Sequence, residues 1–374
     1  MKVLYSCLSK SWGGMEMFAI TAAQILIRRG IETHILCAAN SRIEEESLKR
    51  GLTVHTVNSS GSFSLSAVRQ LRKLIKSQNY SLIHTQASKD LWVLVPALKA
   101  AASPIPLFLT KQVGSYIVKK DLLHKFLYNR LTVAFAISEV IRTNLLDTCP
   151  LTPEKIELLH NGTDTSRFDP DKFDKYKVRK EFGVPGSGIA AGMLARFSPG
   201  KGHEEFIEAA SVLSKKYPDL YFLIVGEASR GEEAYAESIK KLAAESGARN
   251  IIFTGYRSDT PDVLAALDIF VFPSHSEAFG IALVEAMSMA KPAVCSAADG
   301  VLDIVVDNET GLLFEKKNAK DLELKLEQLV KSKDLRERLG VNARKRAIAM
   351  FDMEYLTDRV ISFYNKFTST HSYL

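Results

Sequence analysis

Short apolar runs rich in β-branched and aromatic residues alternate with helical patterns along nearly the whole chain, and the series runs its course twice. In the first half, residues 3–7, 33–37, 53–57, 82–85, 107–110 and 132–137 read as strands, with helical stretches at 16–29, 65–77, 92–101, 122–130 and 140–147. Such alternation predicts parallel βαβ units with helices on both faces of the sheet. A polar segment, 161–188, reads as a linker. Strands then resume at 189–194, 221–225, 251–254, 269–272, 293–296 and 311–314, with helices at 203–217, 232–246, 261–267, 281–289, 322–332 and 335–349, and a last amphipathic helix at 353–367. The expected fold class is α/β, with two Rossmann-like domains facing each other across a cleft, because open α/β sheets take ligands at the carboxyl ends of their strands. The expected domains are 1–165 and 166–351, with 352–374 packing back on the first.

Composition narrows the function classes. A chain of 374 residues is long enough for two domains. Its 46% hydrophobic and 25% charged residues exclude a disordered chain, a collagen-like fibre and a polytopic membrane protein. Cys7, Cys37, Cys149 and Cys295 form no C-x-x-C pair, which excludes a disulfide scaffold and a cysteine-rich zinc site and suits a reducing compartment. The opening residues turn polar too soon for a secretory signal. The most apolar stretch, 91–110, holds Lys99, Pro96, Pro104 and Pro106, so it reads as a buried helix and strand rather than a membrane span. The expected location is cytoplasmic, with attachment to the inner face of the membrane left open. Of the net charge of +6, residues 1–165 carry +8 and 166–374 carry −2, which points to different partners for the two halves.

Three loops carry candidate chemistry. The first follows the strand at 269–272 and reads Pro273-Ser274-His275-Ser276-Glu277-Ala278-Phe279-Gly280-Ile281, continuing into a helix that holds Glu285. Glu277 falls in the loop and Glu285 one turn into the helix, and two such carboxylates can grip the hydroxyls of a sugar and of a ribose. Gly280 lets the backbone approach a ligand at the helix N-terminus, where free N–H groups attract anions. The second loop carries Arg196 and Lys201, five residues apart between Gly192 and His203. A guanidinium fork and an ammonium point charge together suit a diphosphate. The third is Trp12-Gly13-Gly14-Met15-Glu16, a glycine pair that fits either a simple turn or a loop approaching phosphate.

In this order the three loops resemble the retaining glycosyltransferases of the GT-B fold, family 4 (glycosyl transferases group 1). The Glu-x7-Glu signature of that family matches Glu277 and Glu285, its diphosphate-binding pair matches Arg196 and Lys201, and its N-terminal glycine loop matches Gly13-Gly14. Val225-Gly226-Glu227, Asn161-Gly162, Ile137-Ser138-Glu139 and Gly311-Leu312-Leu313 resemble further family segments. The resemblance implies catalytic roles for Arg196, Lys201 and Glu277. It implies donor contacts from Gly13, Gly14, Gly226, Glu227, Tyr256, Arg257, Phe279, Gly280, Ile281 and Glu285, with Glu285 on the ribose. The implied donor is a nucleotide sugar, UDP-, GDP- or ADP-linked, taken as substrate; no separate cofactor and no metal are expected. The chain departs from the family where Gln112 stands in place of a frequent histidine, where His84-Thr85-Gln86 replaces His-x-His, at Asp299-Gly300-Val301-Leu302-Asp303, and at Ala290. Glutamine cannot act as acid or base, so the acceptor proton is expected to go to the leaving phosphate.

Acceptors of this family usually sit on the N-terminal domain, where His84, Lys111 and Gln112 are the candidates. The stretch 116–130 mixes aromatics, leucines and cations. It reads either as a core helix with a solvated basic face or as a helix lying on anionic lipid. The basic residues are too dispersed for a nucleic-acid motif. A glycan or lipid-linked acceptor in cell-envelope polysaccharide or lipopolysaccharide synthesis fits this reading. A nucleotide-sugar epimerase and a non-catalytic nucleotide-sugar-binding protein are the alternatives, and the sequence leaves the oligomeric state open.

Overall fold

The computed structural model describes residues 1–59 and 63–369 and divides the chain into two units, Met1–His160 with Glu354–Leu374, and Asn161–Met353. The last five residues of the expected C-terminal segment, 370–374, lie outside the described residues.

The first unit is built on strands β1 (Lys2–Cys7), β2 (Glu32–Ala38), β3 (Thr53–Val57), β4 (Leu82–Thr85), β5 (Leu107–Lys111), β6 (Val133–Ala136) and β7 (Ile156–Leu158). They form one parallel sheet in the order β3-β2-β1-β4-β5-β6-β7. Helices α1 (Gly14–Arg28), α2 (Arg42–Lys49), α3 (Leu65–Gln78), α4 (Leu91–Ala100), α5 (Leu122–Asn129) and α6 (Glu139–Thr148) connect them. The central strands β1, β4, β5 and β6 are buried on both faces, which is why they read as continuous apolar runs rather than alternating ones.

The second unit begins with α7 (Lys175–Glu181). It continues through β8 (Ile189–Leu194), α8 (His203–Lys216), β9 (Leu220–Val225), α9 (Glu233–Glu245), β10 (Ile251–Gly255), α10 (Thr260–Ala266), β11 (Ile269–Phe272), α11 (Ile281–Ser288), β12 (Ala293–Ser296), α12 (Val301–Ile304), β13 (Leu312–Phe314), α13 (Ala319–Lys331) and α14 (Lys333–Phe351). Its parallel sheet runs β10-β9-β8-β11-β12-β13. Both sheets therefore change winding direction once, between β1 and β4 and between β8 and β11, and in such sheets ligands bind outside the carboxyl ends at that change.

The final helix, α15 (Met353–Ser369), packs on the first sheet through aromatic side chains. Phe363 meets Phe135 edge-on at 5.2 Å, Tyr364 meets Phe108 at 5.2 Å, and Arg28 and Arg29 clasp Glu354 at 2.8 and 3.0 Å. Among the described residues no helix is long and apolar enough to cross a membrane.

The segment read as a linker is a correction. Residues 161–188 belong to the second unit, and side chains among them, including Phe168, Val178, Arg179 and Val184, are buried. Arg179 of α7 donates to the carbonyls of Ala266 (2.8 Å) and Gly188 (2.9 Å) and to the Asp268 carboxylate, which also accepts from the Ala190 amide at 2.8 Å. The segment reads as polar because its charged side chains work inward as well as outward. A true linker would tolerate Arg179→Met. Here the substitution strands Asp268 and two buried carbonyls, and it should cost about 3 kcal/mol in urea unfolding.

Candidate functional site

In the second unit, the loops after β8 and β11 leave the sheet at its change of direction, and they are locked together. The His275 amide donates to the Gly200 carbonyl at 2.8 Å, and His275 Nε2 meets the Glu205 carboxylate at 2.7 Å. Gly202 adopts a φ of +80°, and a Cβ there would lie 2.3 Å from the Pro273 carbonyl oxygen, so only glycine fits. The β9 loop is joined in the same way: a Cβ on Gly226, at φ +144°, would lie 2.0 Å from the Ala195 carbonyl. Gly226 thus owes its place to loop packing, a reason the protein supplies by itself.

This packing sets Lys201 beside Glu277, with Nζ 2.6 Å from Oε1. Both side chains remain partly open to solvent, 24% and 18% exposed, so the pair is an accessible charge couple rather than a core ion pair. Arg196, on the same loop as Lys201, is exposed, and its guanidinium donates to Ser229 at 2.8 Å. Glu285 lies one turn into α11, and among the described residues no hydrogen-bond donor reaches it. Loss of solvent around its carboxyl pushes the pKa up to about 7, against the opposing pull of the Arg167 charge. Gly280 caps α11 at φ +127° and Ile281 opens the helix, whose first amides have no intrahelical acceptor.

The other donor-side candidates divide. Phe279 is buried against Phe351, rings 5.6 Å apart, so only its backbone faces any ligand. Glu227 is exposed, and its carbonyl accepts from the Phe197 amide. Tyr256 is 67% exposed. Arg257 is committed elsewhere: it binds Glu181 and Asp259 and lies over the Phe182 ring at 5.1 Å. Those two carboxylates hold its pKa above the ordinary arginine value.

In the first unit, Gly13 caps α1 and Gly14 is its first residue, both without positive φ, and a Cβ on either would meet nothing closer than 3.6 Å. The fold itself does not demand this glycine pair. Lys111 and Gln112 line a pocket of about 700 Å3 at the carboxyl ends of β1, β4 and β5. Gln112 donates to Gln86 at 2.8 Å, and Gln86 donates to the Tyr5 hydroxyl at 2.7 Å. His84 is the second correction. It is buried behind the sheet end, with Nδ1 on the Tyr364 hydroxyl and Nε2 on Thr110 Oγ1 at 2.8 Å. Burial pushes its pKa down to about 3, and in the neutral form it fastens α15 through Tyr364.

Sequence reasoning missed two residues. Arg167 supplies the cation felt by Glu285 but sits in the supposed linker. His203 opens α8, fully buried and stacked on Phe197 at 4.7 Å, with neither ring nitrogen bonded. It closes the Arg196–Lys201 motif, and nothing in its sequence context marks it as inward-facing. Among the described residues no three His, Cys, Asp or Glu side chains gather as a metal would need.

Comparison with known proteins matches each unit. Residues 12–167 match the model described as Glycosyltransferase Family 4, and residues 174–346 the model described as Glycosyl transferases group 1. The chain belongs to family 4 of the glycosyltransferases. A capsular polysaccharide biosynthesis glycosyltransferase of Staphylococcus aureus is 27% identical over 63% of this chain and 62% of its own length. An N,N'-diacetylbacillosaminyl-diphospho-undecaprenol alpha-1,3-N-acetylgalactosaminyltransferase of Campylobacter jejuni is 28% identical over 79% of this chain and 80% of its own. Among solved structures, Anabaena HepE, in complex with UDP, superposes with a TM-score of 0.86 at 23% identity, over 98% of this chain and 100% of that one. That likeness bears on the fold, and the fold of this transferase is the GT-B arrangement of two Rossmann-like α/β domains.

The Glu285 carboxyl yields a stability test. A folded pKa raised to about 7 means that its full contribution is present below the unfolded value near 4.5 and is lost as pH rises through 7. Glu285→Gln should remove that loss. Relative to the wild type, the ligand-free variant should gain about 3 kcal/mol between pH 4 and pH 8. Identical pH profiles in chemical denaturation would show that Glu285 is solvated.

Proposed function

We propose that this transferase moves a sugar from a nucleotide-sugar donor to a hydroxyl of a glycan or lipid-linked acceptor, with retention of configuration, in the assembly of cell-envelope polysaccharide. The observation that carries the reading is the Lys201–Glu277 couple, its lysine on the same loop as Arg196, where the second sheet changes direction. Breaking a sugar–diphosphate bond builds negative charge on the leaving phosphate. Fixed cations aimed at that charge stabilise the transition state without reorganising during the reaction. Arg196 and Lys201 take this role, and the N-terminus of α11 adds its amides and the positive end of its dipole. Glu277 keeps Lys201 in position and has a second carboxylate oxygen for the hydroxyls of the transferred sugar.

Glu285 takes the hydroxyls of the donor ribose. Their donated hydrogen bonds favour the ionised carboxylate and offset the desolvation that raises its pKa. With Gln112 unable to exchange a proton, the leaving phosphate accepts the acceptor's proton on the same face of the sugar, and configuration is retained. The cations stand where a metal stands in other transferases, so the reaction needs none. Two curated relatives support the substrate class: one is named for capsular polysaccharide biosynthesis, and the other for transfer onto a diphospho-undecaprenol-linked sugar.

A thermal-shift series with UDP, GDP and ADP should raise the melting temperature with one base, equally in EDTA, because a ligand that binds only the native state stabilises it by mass action. Lys201→Ala should lower kcat/KM by about 10²-fold, the usual effect of removing one group that stabilises developing charge. Unchanged turnover in that variant, or activity lost in EDTA and restored by Mg²⁺, would refute the mechanism.

A further inference from the structure

The pocket of about 700 Å3 in the first unit plays no part in the donor chemistry above, and its lining is specific. Four lysines, Lys10, Lys89, Lys111 and Lys119, line it together with one carboxylate, Asp90. That carboxylate is already occupied: its Oδ2 accepts from the Ser6 hydroxyl (3.0 Å), the Leu8 amide (3.1 Å) and the Thr85 hydroxyl (2.8 Å). Lys111 is only 6% exposed and donates to one neutral partner, Ser88 Oγ, at 3.1 Å. Burial and the charge of Lys119 together push its pKa down to about 8. Two neighbouring cations, one of them buried and neither balanced by a carboxylate, are unfavourable until an anion lies between them. The Tyr128 hydroxyl, fully buried in the same wall, has no partner within hydrogen-bond distance, although Ser88 and Cys149 neighbour it. Compact ammonium charges and a hydroxyl donor suit phosphate oxygens.

The rim of the pocket is apolar where a pocket for a water-soluble anion would be polar. Tyr116, Ile117, Val118, Leu122 and Leu123 are between 62% and 103% exposed, and Ile117 belongs to the pocket wall itself. Of the two sequence readings for the 116–130 stretch, a plain core helix fails for Leu122 and Leu123, while Leu127 and Tyr128 are buried. Lys119, Lys120 and Lys125 are interleaved with the exposed apolar groups. Exposed apolar side chains close in sequence to an anion pocket and interleaved with lysines are complementary to an amphiphile with an anionic head.

We propose that this pocket receives the phosphate or diphosphate head of a lipid-linked acceptor, with Lys111, Lys119 and Tyr128 on the phosphate oxygens and the 116–123 rim against the lipid chain. This rests on the transferase reading above and specifies its acceptor.

Calorimetric titration of the full chain with farnesyl diphosphate, inorganic pyrophosphate and farnesol tests it. Farnesyl diphosphate should bind at least about tenfold tighter than pyrophosphate, and farnesol not at all. Lys111→Met, which keeps the side-chain volume, should weaken both anions about tenfold or more. Leu122→Ser with Leu123→Ser, neutral changes outside the pocket wall, should remove the advantage of the lipid and leave pyrophosphate unchanged. Equal binding of farnesyl diphosphate and pyrophosphate would mean a site for free phosphate, and the lipid proposal would fall. Wild-type affinity in Lys111→Met, or loss confined to Lys201→Ala, would move the anion to the donor loops and overturn the proposal as well. The nucleoside-diphosphate thermal shift, run on the same samples, shows that each variant is folded and separates the two readings. If the shift persists without lipid binding, only the acceptor proposal fails. If it is absent from the wild type, the donor reading fails independently.

Discussion

A steric constraint at Gly202 orders the candidate donor site. A sheet that changes winding direction leaves a crevice, but the crevice is useful only if the loops on its two sides are fixed relative to each other. Here the backbone of one loop lies directly on the carbonyl of Pro273 in the other, closer than any side chain would permit. The hydrogen bond from the His275 amide to the Gly200 carbonyl holds that contact in register. Lys201 and Glu277 come from loops 76 residues apart in sequence and still meet at 2.6 Å. Flexible side chains gain much of their electrostatic value from such anchoring, since fixed charges need no rearrangement as the transition state forms.

Much of this was legible in the sequence because strongly patterned features leave strong traces. The buried strands of both sheets stand out as apolar runs, and the two Glu277–Glu285 and Arg196–Lys201 loops follow strands and precede helices as phosphate-handling loops do. What escaped notice depends on distant partners. Residues 161–188 look polar along the chain, yet Arg179 is satisfied by groups near residues 188 and 266–268. His84 ends a strand like a ligand, but its partner Tyr364 lies 280 residues away. The helix at Arg42–Lys49 is absent from the sequence reading although Ser41 and Glu44 have capping-box spacing; Ser41 accepts from the Glu44 amide, and the Glu44 carboxylate accepts from the amide of Asn40, one residue before the cap. Its few apolar residues gave no periodicity to find.

Polar groups without partners mark where this fold gives up stability. Glu285 keeps a carboxyl largely desolvated and unbonded, Lys111 is buried beside a second cation, and His203 is buried with both nitrogens bare. A chain selected for stability alone would replace or pair each of them. Glu285 lies one turn into the helix that follows β11, His203 opens the helix that follows β8, and Lys111 ends β5. Unpaired groups at the carboxyl ends of strands, where these sheets present their loops, are the expected cost of a surface prepared for charged and hydroxylated ligands.

The distribution of exchangeable protons in the first unit bears on the chemistry. His84 is enclosed by Tyr364 and Thr110 and held neutral, whereas His124 lines the pocket itself, its Nδ1 on the Asp121 carboxylate. Gln112 and Gln86, which line the pocket as well, end on Tyr5, whose pKa burial raises beyond the physiological range. An amide–amide–phenol chain of this kind orients a hydroxyl but cannot take its proton. Asp90 Oδ2 accepts from three donors, and Lys111 donates to Ser88 Oγ. In the proposed reaction, the departing phosphate of the donor is the group whose basicity rises as the glycosidic bond breaks, and a proton taken there would tie acceptor activation to bond cleavage in one step.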